Sequence, residues 1–246
     1  MRALRSIARH AVVALVVSLL ANGTVAAQEG VDLELVLLAD GSRSIDAAEL
    51  RFQREGYATA MQDPAVLAAI GGGYYQRIAV AYVEWGGAHS QKLIVPWMAI
   101  DGPESAARFA DTLLSSTDRA EGVNAIGTAI ALAHELIETN AYDAARKVID
   151  FSGDSANNMD GPPLAPARAQ ALAAGVTING LAVLCYACSG PPVSYDLVSA
   201  FERSITGGPG SFVISADNTT RFTDAVRRKL ILEIAGKPAR TKAPAS

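Results

Sequence analysis

The sequence predicts a three-layer, doubly wound α/β domain: a mainly parallel central sheet with one antiparallel edge strand and helices on both faces. Three observations carry this expectation. Short, almost uninterrupted apolar segments such as Leu33–Ala39 read as strands buried on both sides. They alternate with longer segments of helical periodicity, the pattern of βαβ crossovers. One pair of strands is joined only by a short glycine-containing turn, which reads as an antiparallel hairpin.

Taken in order, Leu33–Ala39 is the first buried strand, and residues 45–70 read as one long helix with Glu49, Arg51, Arg54 and Glu55 on an exposed face, closed by Gly71-Gly72-Gly73. Ile78–Trp85 and Gln91–Trp97 are the hairpin strands around Gly86-Gly87, with Trp85 and Trp97 expected to pack over the sheet edge. Pro103–Ser115 is a helix with proline in its first turn, and Ala125–Glu138 is helical by its Ala/Ile/Leu content. Arg146–Phe151 is a strand, Leu164–Ala174 a helix stopped by Gly175, and Val176–Leu184 a further strand. Val193–Ser204 reads as helix, Ser211–Ile214 as a short strand and Thr219–Ile234 as the last helix.

The chain has 246 residues, of which 50% are hydrophobic and 19% charged, which excludes a disordered protein. Its 21 basic residues are outnumbered by 25 acidic ones and form no extended Lys/Arg-rich run, so no nucleic-acid partner is expected. Two cysteines exclude a four-cysteine zinc cluster and a dense disulfide scaffold.

Residues 1–27 read as a signal peptide: Arg2, Arg5 and Arg9, the apolar run Ala11–Ala21 broken only by Ser18, and small residues up to Ala27. The apolar run is shorter than the ~20 residues a membrane span needs. Cleavage after Ala27 leaves 219 residues with 18 basic and 25 acidic groups, a net charge of −7, and no transmembrane segment. The expected organisation is thus a leader over 1–27, a domain over 28–236 and a disordered tail over 237–246, in an exported protein that is periplasmic or secreted.

In sheets of this kind, ligands sit beyond the carboxyl ends of the strands. The loop after the first strand reads Asp40-Gly41-Ser42-Arg43-Ser44, able to turn one carboxylate and two hydroxyls toward one point. Oxygen-only donors suit hard cations such as Mg²⁺. Helix capping by Ser44, without a capping box, accounts for one serine but not for Asp40 and Ser42. The loop after the 146–151 strand carries Asp154, and Gly122-Val123-Asn124 opens the Ala-rich helix.

These residues resemble the von Willebrand factor type A superfamily, whose metal-ion-dependent adhesion site (MIDAS) combines Asp-x-Ser-x-Ser after the first strand, a Thr before a middle helix and an Asp after the fourth strand. Asp40, Ser42, Ser44 and Asp154 match; Asn124 stands where the family has Thr. Thr128 lies one helical turn further on and is expected to be carried away from the loop. An Asn carbonyl can still ligate a cation. The resemblance is closer to a branch of small secreted bacterial proteins, on Gly207–Val213 and Ala225–Leu230, and extends from about Val31 to Gly236.

The resemblance implies a non-catalytic domain that binds Mg²⁺, with Mn²⁺ or Ca²⁺ as alternatives, through Asp40, Ser42, Ser44, Asn124 and Asp154. The open coordination position accepts a carboxylate from a partner protein. Two other readings stand beside it. One is a metal-independent structural or assembly module on the same fold. The other is a hydrolase using Asp154-Ser155, which lacks a histidine after Ser155 to act as base. An Asp40 phosphatase lacks its second acid, because Ser42 occupies that position. The glycine runs 71–73 and 207–210 lead into strands and are turns rather than phosphate loops. Cys185-Tyr186-Ala187-Cys188 has redox spacing but follows a strand, so a local disulfide is the expectation. His89 and His134 lack a second histidine at ligand spacing and read as surface or packing residues.

Overall fold

A computed structural model describes residues 28–184, 194–217 and 219–236. The expected leader, the Cys185 and Cys188 pair and the expected tail lie outside them. Among the described residues eight strands and seven helices are formed: β1 Glu29–Gly30, β2 Glu34–Asp40, α1 Ala47–Met61, α2 Pro64–Gly71, β3 Ile78–Trp85, β4 Gln91–Ile100, α3 Pro103–Ser115, α4 Ile126–Glu138, β5 Tyr142–Asp143, β6 Lys147–Gly153, α5 Leu164–Ala173, β7 Thr177–Val183, α6 Leu197–Ser204, β8 Val213–Ala216 and α7 Thr219–Ala235.

The main sheet has the order β4-β3-β2-β6-β7-β8, with β4 antiparallel and every other pairing parallel. The chain leaves β2 for β3 on one side and later returns to β6 on the other. The strand order therefore reverses at β2, and the carboxyl ends of β2 and β6 flank the crevice where such sheets bind ligands. All seven residues of β2 are buried. Leu35, Leu37 and Ala39 face one core, shared with α1, α2, α3 and α7. Val36 and Leu38 face the other, shared with α4, α5 and α6. Period-two geometry allots the same run to two cores, which is why it reads as continuously apolar.

The single helix expected over 45–70 is two helices. Pro64 occupies the first turn of α2, and the Asp63 carboxylate accepts from the Ala65 amide at 2.8 Å. A helix cannot run through a proline with its upstream hydrogen bond intact, so α1 ends at Met61. The Ser44 cap is also corrected. Asp46 caps α1, accepting from the amides of Ala48 and Glu49 at 2.8 and 2.9 Å, while Glu49 accepts from the Asp46 amide at 2.8 Å. The hairpin strand expected to stop at Trp97 continues to Ile100. The two-residue parallel pairing of β1 with β5 is too short to carry a period and was not expected. Trp85 is not at the sheet edge. It is fully buried one strand in from β4 and stacks on Phe151 with ring centroids 5.1 Å apart.

Candidate metal centre

Asp40 ends β2 with 1% of its surface exposed. One carboxylate oxygen accepts from the Ser42 amide at 2.9 Å, which closes the loop tightly enough to bring the Ser42 and Ser44 hydroxyls within 3.1 Å of each other. Gln53 of α1 donates to the Asp40 carbonyl at 3.1 Å and fixes the backbone from below. The other Asp40 oxygen lies 3.5 Å from the amide of Asp154, which follows the last residue of β6. Adjacent parallel strands thus set two carboxylate-bearing residues side by side.

The third loop is sewn to the first two through its backbone. Gly122, at φ +96° in the left-handed region that favours glycine, accepts from the Arg43 amide at 2.7 Å. The Ala125 amide donates to the Gly86 carbonyl at 2.8 Å. Asn124 is 9% exposed, and its carbonyl accepts from the amides of Met159 at 2.7 Å and Asp160 at 3.1 Å, in the loop that carries Asp154. Asn158 then accepts from the Gly127 amide at 2.8 Å, serving α4 as the cap that Ala125 cannot supply. Thr128 lies under this loop: a Cβ on Gly161 would come 2.6 Å from its hydroxyl, which has no hydrogen-bond partner among the described residues.

Both carboxyls are shifted upward by their surroundings. Burial, and then the charge of Asp154, push the Asp40 carboxyl up to about 8. Burial raises Asp154 as well, with Glu49 adding a like charge and the Ser44 hydroxyl opposing the shift. Among the described residues no basic side chain is paired with either carboxylate. The donors are all oxygen, with two carboxylates and two hydroxyls at the first two loops. No group of three or more His, Cys, Asp or Glu that could hold a metal occurs among the described residues. A hard divalent cation that keeps waters and uses one or two carboxylates fits such a set; a softer metal that prefers nitrogen or sulfur does not.

Three residues of this neighbourhood escaped the sequence reading. Gly153 matters because a Cβ there would come 2.9 Å from the Trp85 ring and 3.1 Å from the Asp40 carboxylate. Tyr195 accepts from the Ala156 amide at 3.0 Å and lies 3.4 Å from the Ser155 hydroxyl. Gln53 is one among many polar residues of α1. Only the Gly-Asp pair after a strand offered any signal for the first; the others are contacts across more than a dozen residues. Ser155 faces Tyr195, His134 lies 4.0 Å from Glu138, and His89 is exposed in the hairpin turn near Asp160.

A family model described as "Protein of unknown function (DUF1194)" matches residues 30–238, nearly all of the expected domain. The chain belongs to the DUF1194 family. Its fold is that of von Willebrand factor type A domains. Proximal thread matrix protein 1 from the mussel byssus superposes with a TM-score of 0.59 at 16% identity, over 85% of this chain and 49% of that one. A von Willebrand factor type A protein from Catenulispora acidiphila gives 0.59 at 16% identity, over 83% and 43%. The vWF domain of the type V pili tip protein Mfa5 from Porphyromonas gingivalis gives 0.55 at 9% identity, over 87% of this chain and 98% of that domain. This DUF1194 chain therefore spans about half the length of the mussel protein, one structure of which has a zinc-occupied MIDAS motif. No curated protein matches the chain. Among the described residues, no helix is long and apolar enough to cross a membrane.

Proposed function

We propose that this DUF1194 protein is an exported, non-catalytic binding module that holds a partner protein through a divalent cation, Mg²⁺ by preference, at Asp40, Ser42, Ser44, Asn124 and Asp154. The observation that carries the reading is the pair Asp40 and Asp154: two carboxylates brought together at the strand-order reversal, one of them 1% exposed, with no basic partner among the described residues. Like charges so placed are costly unless a cation joins them. Ser42 and Ser44 supply neutral oxygens, which leaves a bound divalent ion able to accept a further anion. When bound, that ion offers an open position to a carboxylate of the partner. The loops around it orient the ligands: Gln53 and the Ser42 amide hold Asp40, and the Asn124 carbonyl holds the loop behind Asp154. The matrix and pilus-tip contexts of the neighbouring structures are compatible with such a role. Export rests on the leader over 1–27, with the working domain over 28–236.

Calorimetric and thermal-shift titration of the domain with Mg²⁺ and Mn²⁺ tests the reading against Asp40→Asn. In chelator, Asp40→Asn is at least as stable as the parent, because it removes a repulsive buried carboxyl; saturating Mg²⁺ reverses that order. Asn124→Thr retains or strengthens binding. Absence of any metal response in the parent protein refutes the cation site and leaves the metal-independent module. Ester hydrolysis that disappears in Ser155→Ala would restore the hydrolase.

A further inference from the structure

The layer between the sheet and helices α1 and α7 contains a polar cluster that the cation site does not use. Lys229 of α7 is 0% exposed, Asp150 of β6 1% and Glu233 of α7 2%. The Lys229 ammonium lies 2.6 Å from a carboxylate oxygen of Asp150 and 2.6 Å from one of Glu233. Asn179 of β7 donates to the same Glu233 oxygen at 2.9 Å. The other Glu233 oxygen is buried and has no hydrogen-bond partner among the described residues.

Side chains from several other elements face this cluster. From α1 comes Tyr57 and from β3 Tyr82, both fully buried. From the loop before β8 comes the Phe212 ring, 5.8 Å from the Lys229 ammonium. From just before β6 comes Arg146, whose guanidinium donates to the main-chain carbonyls of Glu233 and Ile234 and so caps the end of α7. Arg146 is committed to that helix end, and the two acids share one ammonium. A cavity of about 250 Å³ adjoins the cluster, lined by Arg146, Asn179, Phe212 and Glu233 among others.

We propose that Asp150, Lys229 and Glu233 form a proton-operated latch that fastens α7 to strands β6 and β7. With a proton on Glu233 the cluster holds one carboxylate, one ammonium and one neutral acid, and is balanced. Loss of that proton to water in the cavity leaves one buried negative charge in excess and loosens α7. No bond other than O–H is made or broken. The sense of the pH dependence follows from linkage. Burial, and then the charge of Asp150, raise the Glu233 carboxyl from its ordinary 4.5 to about 8, with Lys229 opposing. A group whose folded value is raised stabilises fully below the unfolded value and loses that contribution as pH rises through the folded one. The latch is therefore tightest below pH 4.5, loosens as pH rises from there, and is weakest above about pH 8.

The test compares the opening of α7 in the parent protein and in Glu233→Gln, which keeps an acceptor for Lys229 and Asn179 but carries no titrating proton. Amide hydrogen exchange of α7 is followed from pH 5 to pH 8 in chelator and corrected for intrinsic exchange rates. The ratio of parent to variant opening constants should rise about tenfold per pH unit across that range. Contributions common to both proteins, including that of Asp40, cancel in the ratio. A pH-independent ratio overturns the proposal. Should Glu233→Gln fail to fold, carbon-13 NMR of the glutamate carboxyls in the parent protein decides. A Glu233 titration near pH 8 supports the latch, and one in the ordinary carboxylate range overturns it.

Discussion

A single hydrogen atom decides much at Gly153. It sits where β6 delivers the chain to Asp154, and its Cα faces both the Trp85 ring and the Asp40 carboxylate. Replacement by alanine introduces a methyl group at 2.9 Å from one and 3.1 Å from the other, so one of them must move. Gly153→Ala should destabilise the domain by about 1–3 kcal/mol, as overpacking in a close-packed interior does. It should also weaken Mg²⁺ binding, because the displaced neighbour includes a ligand. Urea denaturation and calorimetry read the two effects separately. A variant that loses stability with unchanged Mg²⁺ affinity would show that Trp85 alone gives way. Asp40, Ser42, Ser44 and Asp154 were legible in the sequence because side-chain chemistry and spacing along one loop are written there. Gln53 and Tyr195 were not, because their roles consist of meeting a backbone group far along the chain.

At the scale of elements, α1 shows how a cap frees a site. Had Ser44 capped the helix, its hydroxyl would be committed to a backbone amide; Asp46 takes that duty instead, with Glu49 closing the box. Asp46→Ala should cost about 1 kcal/mol in urea denaturation, the usual worth of such a cap. It should leave the Mg²⁺ response in place, whereas Ser44→Ala should diminish it without a comparable loss of stability. Equal loss of Mg²⁺ binding in both variants would mean that the cap and the cation loop are one unit. The Asp46-x-x-Glu49 spacing was present in the sequence and overlooked in favour of the serine. Pro64 likewise marked the break between α1 and α2. Such misreadings come from weighing residue types one at a time, since a cap is a pattern of two partners three residues apart.

At the scale of the whole molecule, Arg54 ties three elements into one frame. It is 7% exposed and donates from α1 to Glu84 of β3 at 2.7 Å and to the carbonyls of Ser116 and Asp118 beyond α3 at 2.6 and 2.5 Å. Glu84 is fully buried, so Arg54→Met strands its charge and should cost about 3–5 kcal/mol. Arg54→Met combined with Glu84→Leu should recover most of that loss, because two apolar side chains replace a buried pair with little penalty. A double variant no more stable than the single one would show that the carbonyls of Ser116 and Asp118 depend on the guanidinium.

The sequence by itself determined the alternation of strands and helices, the parallel sheet with its one antiparallel edge, and the acids and serines that stand at the strand ends. Those are local quantities: periodicity, apolar runs and spacing within a loop. The tertiary structure alone decided that Asp40 and Asp154 are neighbours, because β2 and β6 are paired only in three dimensions. It also placed a lysine and two acids in the core beneath α7. In the sequence Arg54 reads as a solvent-facing charge on a helix, since helical periodicity says which face a residue occupies but not whether that face meets water. Burial is a property of the assembled layers, and the chemistry of both the candidate cation site and the latch follows from it.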